Sequence, residues 1–303
     1  MKPIPYKEDM TIVAPCVIKD MPIEVYHQET PGISSSQLVD AIWSPALYYG
    51  RYISHEFPPL SSSGFSFGKA LDTLLTTPER FDELFVVKPA DMKLSTKEGK
   101  AWNAEQEGKT IISAADKKIV DILLKKLKKK KVAKQVFGSN DTQLSYFWFQ
   151  PVEYGDKIKK MLCKCRPDRL SKNFISDDKS ALNASYSDFQ KTIGNLNYHI
   201  KAAMYQTGIN MVDGTDRDFI FNVYGKKPPY PIKFYPLKEY ELEVGKEYFL
   251  RGLETILLCE DSNIWPDEVT NLDWSVYLET GEWYDFTDCV EEIERPEWMQ
   301  NRD

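Results

Sequence analysis

Two aspartates and a lysine in the middle of the chain have a spacing that suits phosphodiester chemistry. Arg166-Pro167-Asp168 is followed, after eight intervening residues, by Asp177-Asp178-Lys179. Residues two apart on a β-strand point to the same face, so Asp177 and Lys179 are expected to project together. A carboxylate pair can hold Mg²⁺ against phosphate oxygens, while a neighbouring ammonium orients or deprotonates the attacking water. The spacing alone is weak, because similar patterns also occur as surface ion pairs of little energetic consequence.

The composition is that of a folded globular protein. The chain has 303 residues, of which 42% are hydrophobic, enough for one large domain or two modest ones. No segment approaches the roughly 20 apolar residues of a membrane span, and the N-terminus lacks the apolar core of a secretory signal. We therefore expect no membrane partner.

The five cysteines indicate reduced thiols, since their number is odd in a large chain. This favours a cytoplasmic location. Cys163 and Cys165 share one face of an expected strand, where packing is the favoured role over metal binding. Without a Cys-x-x-Cys pair or a second cluster, neither zinc nor an iron–sulfur centre is expected.

The charge is distributed unevenly. The whole chain carries a net charge of −7, but residues 260–303 contain fourteen acidic residues and two arginines, a net charge of −12. The difference leaves the first 259 residues with a net charge of about +5, which can supply contacts to phosphate groups. We expect an irregular N-terminal segment (1–30), a catalytic domain (31–259) and an acidic C-terminal segment (260–303).

The order of expected elements indicates an α/β or α+β fold with a mixed sheet flanked by helices. Ser34 and Gln37 have the spacing of a capping box before an expected helix through Trp43, and Pro45 is expected in the first turn of a second helix. Residues 88–110 are expected to form a polar loop. The remaining expected helices are 65–76, 114–136, a segment from 187, 198–211 and 239–259; the expected strands are 11–18, a three-strand meander (144–150, 158–165, 174–177), 219–224 and 230–235.

The helix expected at 114–136 is rich in lysine towards its end. Ser113 is its expected cap, and its apolar stripe includes Ile119, Leu123 and Leu127. The lysines that follow are either a solvated helix face or contacts to a DNA backbone, since such a run can neutralise several phosphates. The candidate DNA-contacting residues are Lys128, Lys129, Lys130, Lys131, Arg166 and His199.

At this point the chain resembles a known family, the exodeoxyribonuclease VIII (RecE-like) branch of the PD-(D/E)xK nuclease superfamily, which is close in role to lambda exonuclease. The resemblance rests on six stretches in the family's order, covering roughly residues 20–260. These are Gly32-Ile33-Ser34-Ser35-Ser36-Gln37-Leu38 with Ser44-Pro45-Ala46-Leu47-Tyr48; Phe67-Gly68-Lys69-Ala70-Leu71-Asp72; Thr96-Lys97-Glu98-Gly99-Lys100; Cys165-Arg166-Pro167-Asp168; Ile175-Ser176-Asp177-Asp178-Lys179; and Tyr198-His199-Ile200-Lys201-Ala202-Ala203-Met204-Tyr205.

The resemblance implies roles for individual residues. The metal ligands would be Asp72, Asp168, Asp177 and the backbone carbonyl of Asp178, with Lys179 as the catalytic lysine and with Lys201 and Tyr205 completing the catalytic set. The implied cofactor is Mg²⁺, for which Mn²⁺ can substitute. Two positions depart from the family. Asp72 stands where relatives carry His or Glu, and Lys201 stands where they usually carry the glutamine of Gln-x-x-x-Tyr.

The resemblance also implies an activity and partners. Relatives digest the 5′ strand of linear double-stranded DNA and leave a 3′ overhang for a single-strand annealing protein in phage or prophage recombination. They assemble as rings, so a homo-oligomer is expected, in the host cytoplasm if the chain is phage-encoded. The alternatives are another superfamily nuclease (an endonuclease or a Cas4-like enzyme), a catalytically impaired DNA-binding protein motivated by Asp72 and Lys201, and a protein whose acidic segment binds a partner.

Overall fold

A computed structural model describes residues 1–58, 64–131, 133 and 141–267. The helices are α1 (Ser35–Trp43), α2 (Pro45–Tyr52), α3 (Gly64–Thr76), α4 (Phe81–Leu84), α5 (Lys97–Glu105), α6 (Ala114–Leu127), α7 (Tyr186–Asn195), α8 (Tyr198–Asp213) and α9 (Glu239–Ser262). The strands are β1 (Ile4–Pro5), β2 (Cys16–Lys19), β3 (Phe85–Lys88), β4 (Thr110–Ser113), β5 (Asp141–Thr142), β6 (Ser145–Tyr154), β7 (Lys157–Cys165), β8 (Arg169–Leu170), β9 (Phe174–Ala181), β10 (Asp218–Gly225) and β11 (Ile232–Pro236). Within the described ranges, no helix is long and apolar enough to cross a membrane.

The strands form three sheets. The largest has the order β11-β10-β9-β8-β5, in which β9 and β10 are parallel and the other neighbours are antiparallel. A four-stranded sheet has the order β1-β2-β6-β7, and β3 pairs with β4 in a small parallel ribbon. Helices α8 and α9 pack on each other and against β6. This mixed arrangement confirms the expected α/β (α+β) class.

The expected three-strand meander is wrong in one respect. β6 and β7 form a hairpin, but β9 pairs with β8 and β10 in the other sheet. Between β7 and β8 lies Pro167, which has no N–H and cannot donate to a continuing β-ladder. The chain therefore changes sheets at this proline, and Asp168 lies at the change.

Two segments expected to be irregular contain regular structure. The expected loop 88–110 contains α5, whose N-terminus is capped by the Thr96 hydroxyl accepting from the Gly99 N–H. In the N-terminal segment the expected strand forms as β2, which pairs with β6, and β1 pairs with β2. The strand expected at 11–18 is thus present over its last residues, whereas β1 and α5 were not predicted.

The lysine-rich helix is shorter than expected. Ser113 caps it as predicted, but α6 ends at Leu127 rather than near residue 136. Closely spaced ammonium groups at Lys125, Lys126 and Lys128–131 repel one another across successive turns, which weakens a continuing helix. Residues 132 and 134–140 lie outside the described ranges.

The first residues of the acidic C-terminal segment pack on the domain. The expected boundary falls inside α9, which continues to Ser262. Beyond it, the Trp265 ring lies 5.9 Å from that of Tyr48 and 5.0 Å from that of Tyr49. The Ala46 N–H donates to the Pro266 carbonyl at 2.9 Å. Residues 268–303 of the predicted segment, including Cys289, lie outside the described residues.

A buried lysine ties the N-terminal segment to β7. Lys164 is 2% exposed, and its Nζ donates to the Tyr26 carbonyl, the Thr30 carbonyl and the Thr30 hydroxyl at 2.9, 2.8 and 3.2 Å. These acceptors lie at a single turn of helix, Val25–Glu29, just before α1. Burial lowers the pKa of Lys164 from 10.5 to about 8.

This lysine makes stability depend on pH in a defined window. The unfolded chain holds the Lys164 proton up to about pH 10.5 and the folded chain only to about pH 8, so unfolding takes up a proton between these values. The contribution of Lys164 to the free energy of unfolding should therefore be greatest above pH 10.5 and should fall, by roughly 3 kcal/mol, as the pH drops through 8. Urea unfolding at pH 7.5, 9 and 10 should show a free energy of unfolding that rises with pH more steeply in the wild type than in Lys164→Met. An identical slope in both proteins would contradict it.

Candidate active site

Asp177 and Lys179 lie on one face of β9, as predicted. β9 pairs in parallel with β10, with Asp177 opposite Phe221 and Lys179 opposite Val223. Asp177 is fully buried, and its carboxylate forms an ion pair with the Lys179 ammonium. Alternation along the strand directs the Asp178 side chain to the opposite face.

A second ammonium completes the surroundings of Asp177. Lys201 on α8 places its Nζ 2.7 Å from Asp177 Oδ1. Burial raises the pKa of Asp177, but Lys179 and Lys201 more than offset this effect and hold the pKa below its ordinary value. The predicted set of Asp177, Lys179 and Lys201 is therefore brought together across β9 and α8.

The two lysines differ in acidity. Burial lowers the pKa of Lys179, and the nearby charge of Lys201 adds to this effect against the attraction of Asp177. Burial alone would also lower the pKa of Lys201, yet Asp177, Tyr205 and Asp168 raise it well above its usual range. The Lys201 Nζ lies 5.1 Å from the Tyr205 ring centroid. Lys179 is thus the ammonium that gives up its proton more easily, and Lys201 is a fixed cation.

The Asp168 side chain is hydrogen-bonded to the backbone of Asp178 on β9. Its Oδ2 accepts a hydrogen bond from the Asp178 N–H at 2.6 Å. Burial raises the pKa of Asp168 well above its ordinary value, and the carboxylates of Asp177 and Asp72 raise it further. Asp168, Asp177 and Asp72 are therefore close enough to repel one another.

Asp72 on α3 is held by a relay of side chains. Gln143 Nε2 lies 3.4 and 3.3 Å from the two Asp72 oxygens, and Arg166 Nε donates to Gln143 Oε1 at 2.9 Å. Burial, together with Asp178, raises the pKa of Asp72 to about 6. Gln143 has a φ of +57°, a left-handed conformation that is strained for a residue other than glycine and that clusters at functional sites.

The Asp178 side chain has partners of its own on the other face of β9. Its Oδ1 accepts from Asn222 Nδ2 at 2.9 Å and from the Tyr224 hydroxyl at 3.2 Å, while Arg169 Nε lies 3.3 Å from Oδ2. These contacts fix the peptide between Asp177 and Lys179. The predicted ligand at this position is the carbonyl of Asp178, and its role stays a prediction.

Two cavities meet at the carboxylates. The helix-side cavity, of about 550 Å³, is lined by Tyr26, Ser35, Gln143, Arg166, Lys201 and Tyr205, among others. The strand-side cavity, of about 590 Å³, is lined by Gly68, Lys69, Lys179, Ser180, Leu182 and Lys226, among others. Asp72, Asp168 and Tyr198 line both. Asp72 and Asp168 are therefore accessible from both cavities.

The donor chemistry of the site fits a hard divalent cation. Asp72, Asp168 and Asp177 offer oxygen ligands. Burial raises the pKa of both Asp72 and Asp168, and neighbouring carboxylates raise each of them further, so a cation at this position would offset unfavourable negative charge. As the side chains stand, no three His, Cys, Asp or Glu groups among the described residues form a metal cluster. In this arrangement the Asp177 carboxylate is paired with the ammonium groups of Lys179 and Lys201.

The predicted DNA contacts are only partly near this site. Arg166 lines the helix-side cavity. His199 lines a different cavity beside α9, where its ring meets that of Tyr248 at 6.0 Å. Lys128–131 are exposed beyond α6 and line neither cavity that contains the carboxylates.

Several residues that line or support the site were not predicted from the sequence. Gln143, Asn222 and Tyr224 lie far in sequence from the aspartates that they contact, so no local pattern marks them. Lys69 could have been found, because it lies three residues before Asp72 and so on nearly the same face of α3. No sequence signal marks Lys226.

Comparison with known proteins identifies the class. The fold is that of the PD-(D/E)xK nuclease superfamily. Residues 34–274 match the family described as a PDDEXK-like domain of unknown function (DUF3799), and the chain belongs to this family. The predicted superfamily is thereby confirmed. None of the curated proteins matches the chain.

Solved structures show the same fold. A proposed exonuclease from Eubacterium rectale superposes with a TM-score of 0.57 over 93% of this chain and 98% of its own, at 14% identity. A phage related exonuclease from Haemophilus somnus aligns over 76% of this chain and 96% of its own, at 10% identity and a TM-score of 0.29, which is too low to carry an argument. At such identities the first likeness concerns the fold alone.

Proposed function

We propose that the chain is a Mg²⁺-dependent deoxyribonuclease that degrades the 5′ strand of linear double-stranded DNA. The observation that carries the proposal is the buried Asp177 carboxylate, paired with Lys179 and Lys201 and close to Asp168 and Asp72, both of which line the two cavities. Catalysis of phosphodiester hydrolysis needs a positioned water and charge relief at the phosphate. This group of side chains can supply both.

In this proposal each residue of the site has its own role in the reaction. Asp72, Asp168, Asp177 and the Asp178 carbonyl would hold Mg²⁺ or Mn²⁺, which when bound neutralises phosphate charge and acidifies water. Lys179, the more acidic ammonium, orients the attacking water and in its neutral form accepts the proton at Nζ. The water oxygen bonds to phosphorus as the bond to the 3′-oxygen breaks, and the 3′-oxygen takes up a proton from a solvent water. Lys201 binds a non-bridging oxygen, which requires it to release Asp177.

The biological setting in this proposal follows from the resemblance to RecE-like exonucleases. The 3′ overhang would pass to a single-strand annealing protein during phage or prophage recombination. A ring-shaped homo-oligomer would enclose the duplex end. The name of the Eubacterium rectale structure agrees with exonuclease activity.

One observation favours a second candidate, a DNA-binding protein with impaired catalysis. Lys201 occupies a family glutamine position and, together with Lys179, neutralises the Asp177 carboxylate. A carboxylate that is already paired binds a metal less well, because the cation must displace an ammonium. Measured hydrolysis decides between the two candidates.

The deciding experiment uses the whole chain and a linear duplex with a 5′-phosphate. We expect release of nucleotides from the 5′-labelled strand with Mg²⁺ and none with EDTA. Release from the 3′ label first would reverse the polarity, and cleavage of a closed circle would indicate an endonuclease. Binding without hydrolysis in both Mg²⁺ and Mn²⁺ would overturn the enzyme proposal in favour of the second candidate.

Replacing Lys201 with glutamine should tighten metal binding. The ammonium lies 2.7 Å from Asp177, so its removal leaves Asp177 with Lys179 as its one remaining ion-pair partner in the described part of the chain. We expect about a tenfold lower dissociation constant for Mg²⁺, a change of ~1.4 kcal/mol that is well below the Coulomb energy of two unit charges at this range. Calorimetric titration measures it, with Lys160→Gln as the control. Equal affinity in Lys201→Gln and the wild type would show that Lys201 does not compete with the metal.

A further inference from the structure

β7 forms one edge of the four-stranded sheet, and part of this edge is open. Ile33 covers it at one position, where its N–H donates to the Leu162 carbonyl and its carbonyl accepts from the Lys164 N–H, both at 2.9 Å. Backbone groups two and four residues before Leu162 face the same way, because the direction alternates along a strand. Those of Ile158 and Lys160 have no backbone partner in the described ranges. They form a free edge that another strand can pair with.

The side chains along the free edge are cationic and apolar. Lys157 and Lys159 are exposed, and their Nζ atoms lie 5.6 and 5.1 Å from the centroid of the Tyr154 ring. Neither lysine forms a salt bridge within the described part of the chain. Ile158 projects to the other face of β7 and is 69% exposed. This edge therefore suits a strand that carries acidic and apolar side chains.

The lysines disfavour one candidate partner, the same edge of a second copy. Pairing β7 with β7 would bring the positive charges of two chains together, and like charges on neighbouring strands are destabilising. Lysine on an edge strand commonly prevents such contacts between copies. An acidic strand meets no such repulsion.

The described chain ends close to this edge. The Trp265 ring stacks on that of Tyr48 at 5.9 Å. Burial, together with the nearby Glu260 and Cys163, raises the pKa of Tyr48, so Tyr48 lies between α9 and β7. Burial also raises the pKa of Glu260, while the charge of Lys159 lowers it. The residues that follow the described part of the chain therefore start near the free edge.

The 36 residues after Asp267 have the composition that the free edge requires. They contain eleven acidic residues and two arginines, a net charge of −9, together with three tryptophans and two tyrosines. A stretch of only eight extended residues spans roughly 26 Å. The segment is therefore long enough to reach the edge of its own chain.

We propose that the acidic segment 268–303 binds along the free edge of β7 in the same chain, with backbone hydrogen bonds to Ile158 and Lys160 and with carboxylates beside the two exposed lysines. The main-chain pairing extends the four-stranded sheet by a strand, and apolar side chains of the segment cover the exposed isoleucine. The interaction does not depend on the proposed nuclease function.

This position separates the acidic charge from the candidate active site. Lys160 precedes Arg166 by six residues, which is roughly 20 Å along an extended strand. Arg166 lines the helix-side cavity. At physiological ionic strength exposed charges interact weakly beyond about 8 Å. The bound segment therefore repels an anionic ligand at the carboxylates less than a segment that can approach them.

Hydrogen exchange of single backbone amides in the full chain tests the proposal. A variant with Lys157→Glu and Lys159→Glu has an edge that repels the segment. In this variant the protection factors of the outward amides of Ile158 and Lys160 should be about tenfold lower than in the wild type. The Met161 amide points towards β6 and should stay protected in both proteins, which shows that the hairpin remains folded.

Two further variants identify the partner of the edge. Changing all eleven acidic residues of 268–303 to Asn or Gln should lower the two protection factors as much as reversing the lysines does. Lys93→Glu with Lys97→Glu, an equal change of charge at exposed lysines, should leave them unchanged. Protection in the wild type as low as in the lysine-reversed variant would overturn the proposal. Protection that survives the lysine reversal or the neutral segment would also overturn it.

A mixture of two chains decides whether the segment comes from the same chain. Isotope-labelled protein with the neutral segment is mixed with unlabelled wild type, and exchange of the labelled chain is measured. Its outward amides at Ile158 and Lys160 should stay unprotected. Restored protection would mean that a second copy supplies the segment and would overturn the proposal. Hydrolysis is not measured in these experiments, so their outcome is separate from that of the nuclease assay.

Discussion

Replacing Lys179 with alanine is expected to reduce the rate of DNA hydrolysis by roughly 10²- to 10⁴-fold, the usual contribution of a positioned acid or base. Lys179 is the ammonium whose pKa burial lowers, and it lies against Asp177 with its Nζ 4.9 Å from the Tyr198 ring centroid. The measurement is single-turnover release of label from a 5′-phosphorylated linear duplex with saturating Mg²⁺.

Two controls separate chemistry from folding and binding in this experiment. Lys179 is 16% exposed and Asp177 keeps Lys201 as a partner, so the alanine variant should fold and bind DNA. Lys160→Ala should keep the full rate. Hydrolysis by Lys179→Ala at the wild-type rate would show that Lys179 has no part in the reaction.

Replacing Asp177 with asparagine should have two large effects, on activity and on stability. The neutral amide removes a candidate metal ligand, and activity should fall below detection. It also removes the counter-charge of Lys179 and Lys201, whose side chains are 16% and 23% exposed. Breaking a buried ion pair costs about 3–5 kcal/mol, and partial exposure of the lysines places the expected loss of unfolding free energy at the lower end. Urea unfolding at pH 7 measures this loss.

A double variant tests whether the charges are the cause. Asp177→Asn with Lys201→Gln leaves one buried ammonium unpaired instead of two, so it should recover part of the lost stability without recovering activity. A double-mutant cycle gives the coupling between the two positions. Simple additivity of the two single changes would contradict the ion-pair explanation, and recovered hydrolysis would exclude Asp177 as a ligand.

The sequence was sufficient to predict the centre of the site. Asp177 and Lys179 share a face of β9 because strand periodicity is independent of the surrounding fold. The ion pair between Lys201 and Asp177 could not be predicted this way, since it joins a helix to a strand and depends on how closely α8 packs. That packing is close: a Cβ on Gly208 of α8 would lie 2.4 Å from the Trp148 ring on β6.

The position of His199 could have been anticipated from the helix itself. Residues two apart on an α-helix point in nearly opposite directions, so His199 cannot share the face of Lys201. The relay from Arg166 through Gln143 to Asp72 was beyond sequence reasoning. It joins three separate elements, and its central residue has a strained left-handed backbone.

The packing of Trp265 on α2 determines where the acidic segment can be removed. A chain shortened after Cys259 would lose the last residues of α9, the Trp265 ring that lies against Tyr48 and Tyr49, and the Pro266 carbonyl that accepts from the Ala46 N–H. Any defect in such a protein would mix the loss of acidic charge with damage to the domain. A cut after Asp267 keeps these contacts and removes most of the acidic residues, so it is the deletion from which the role of the charge can be learned.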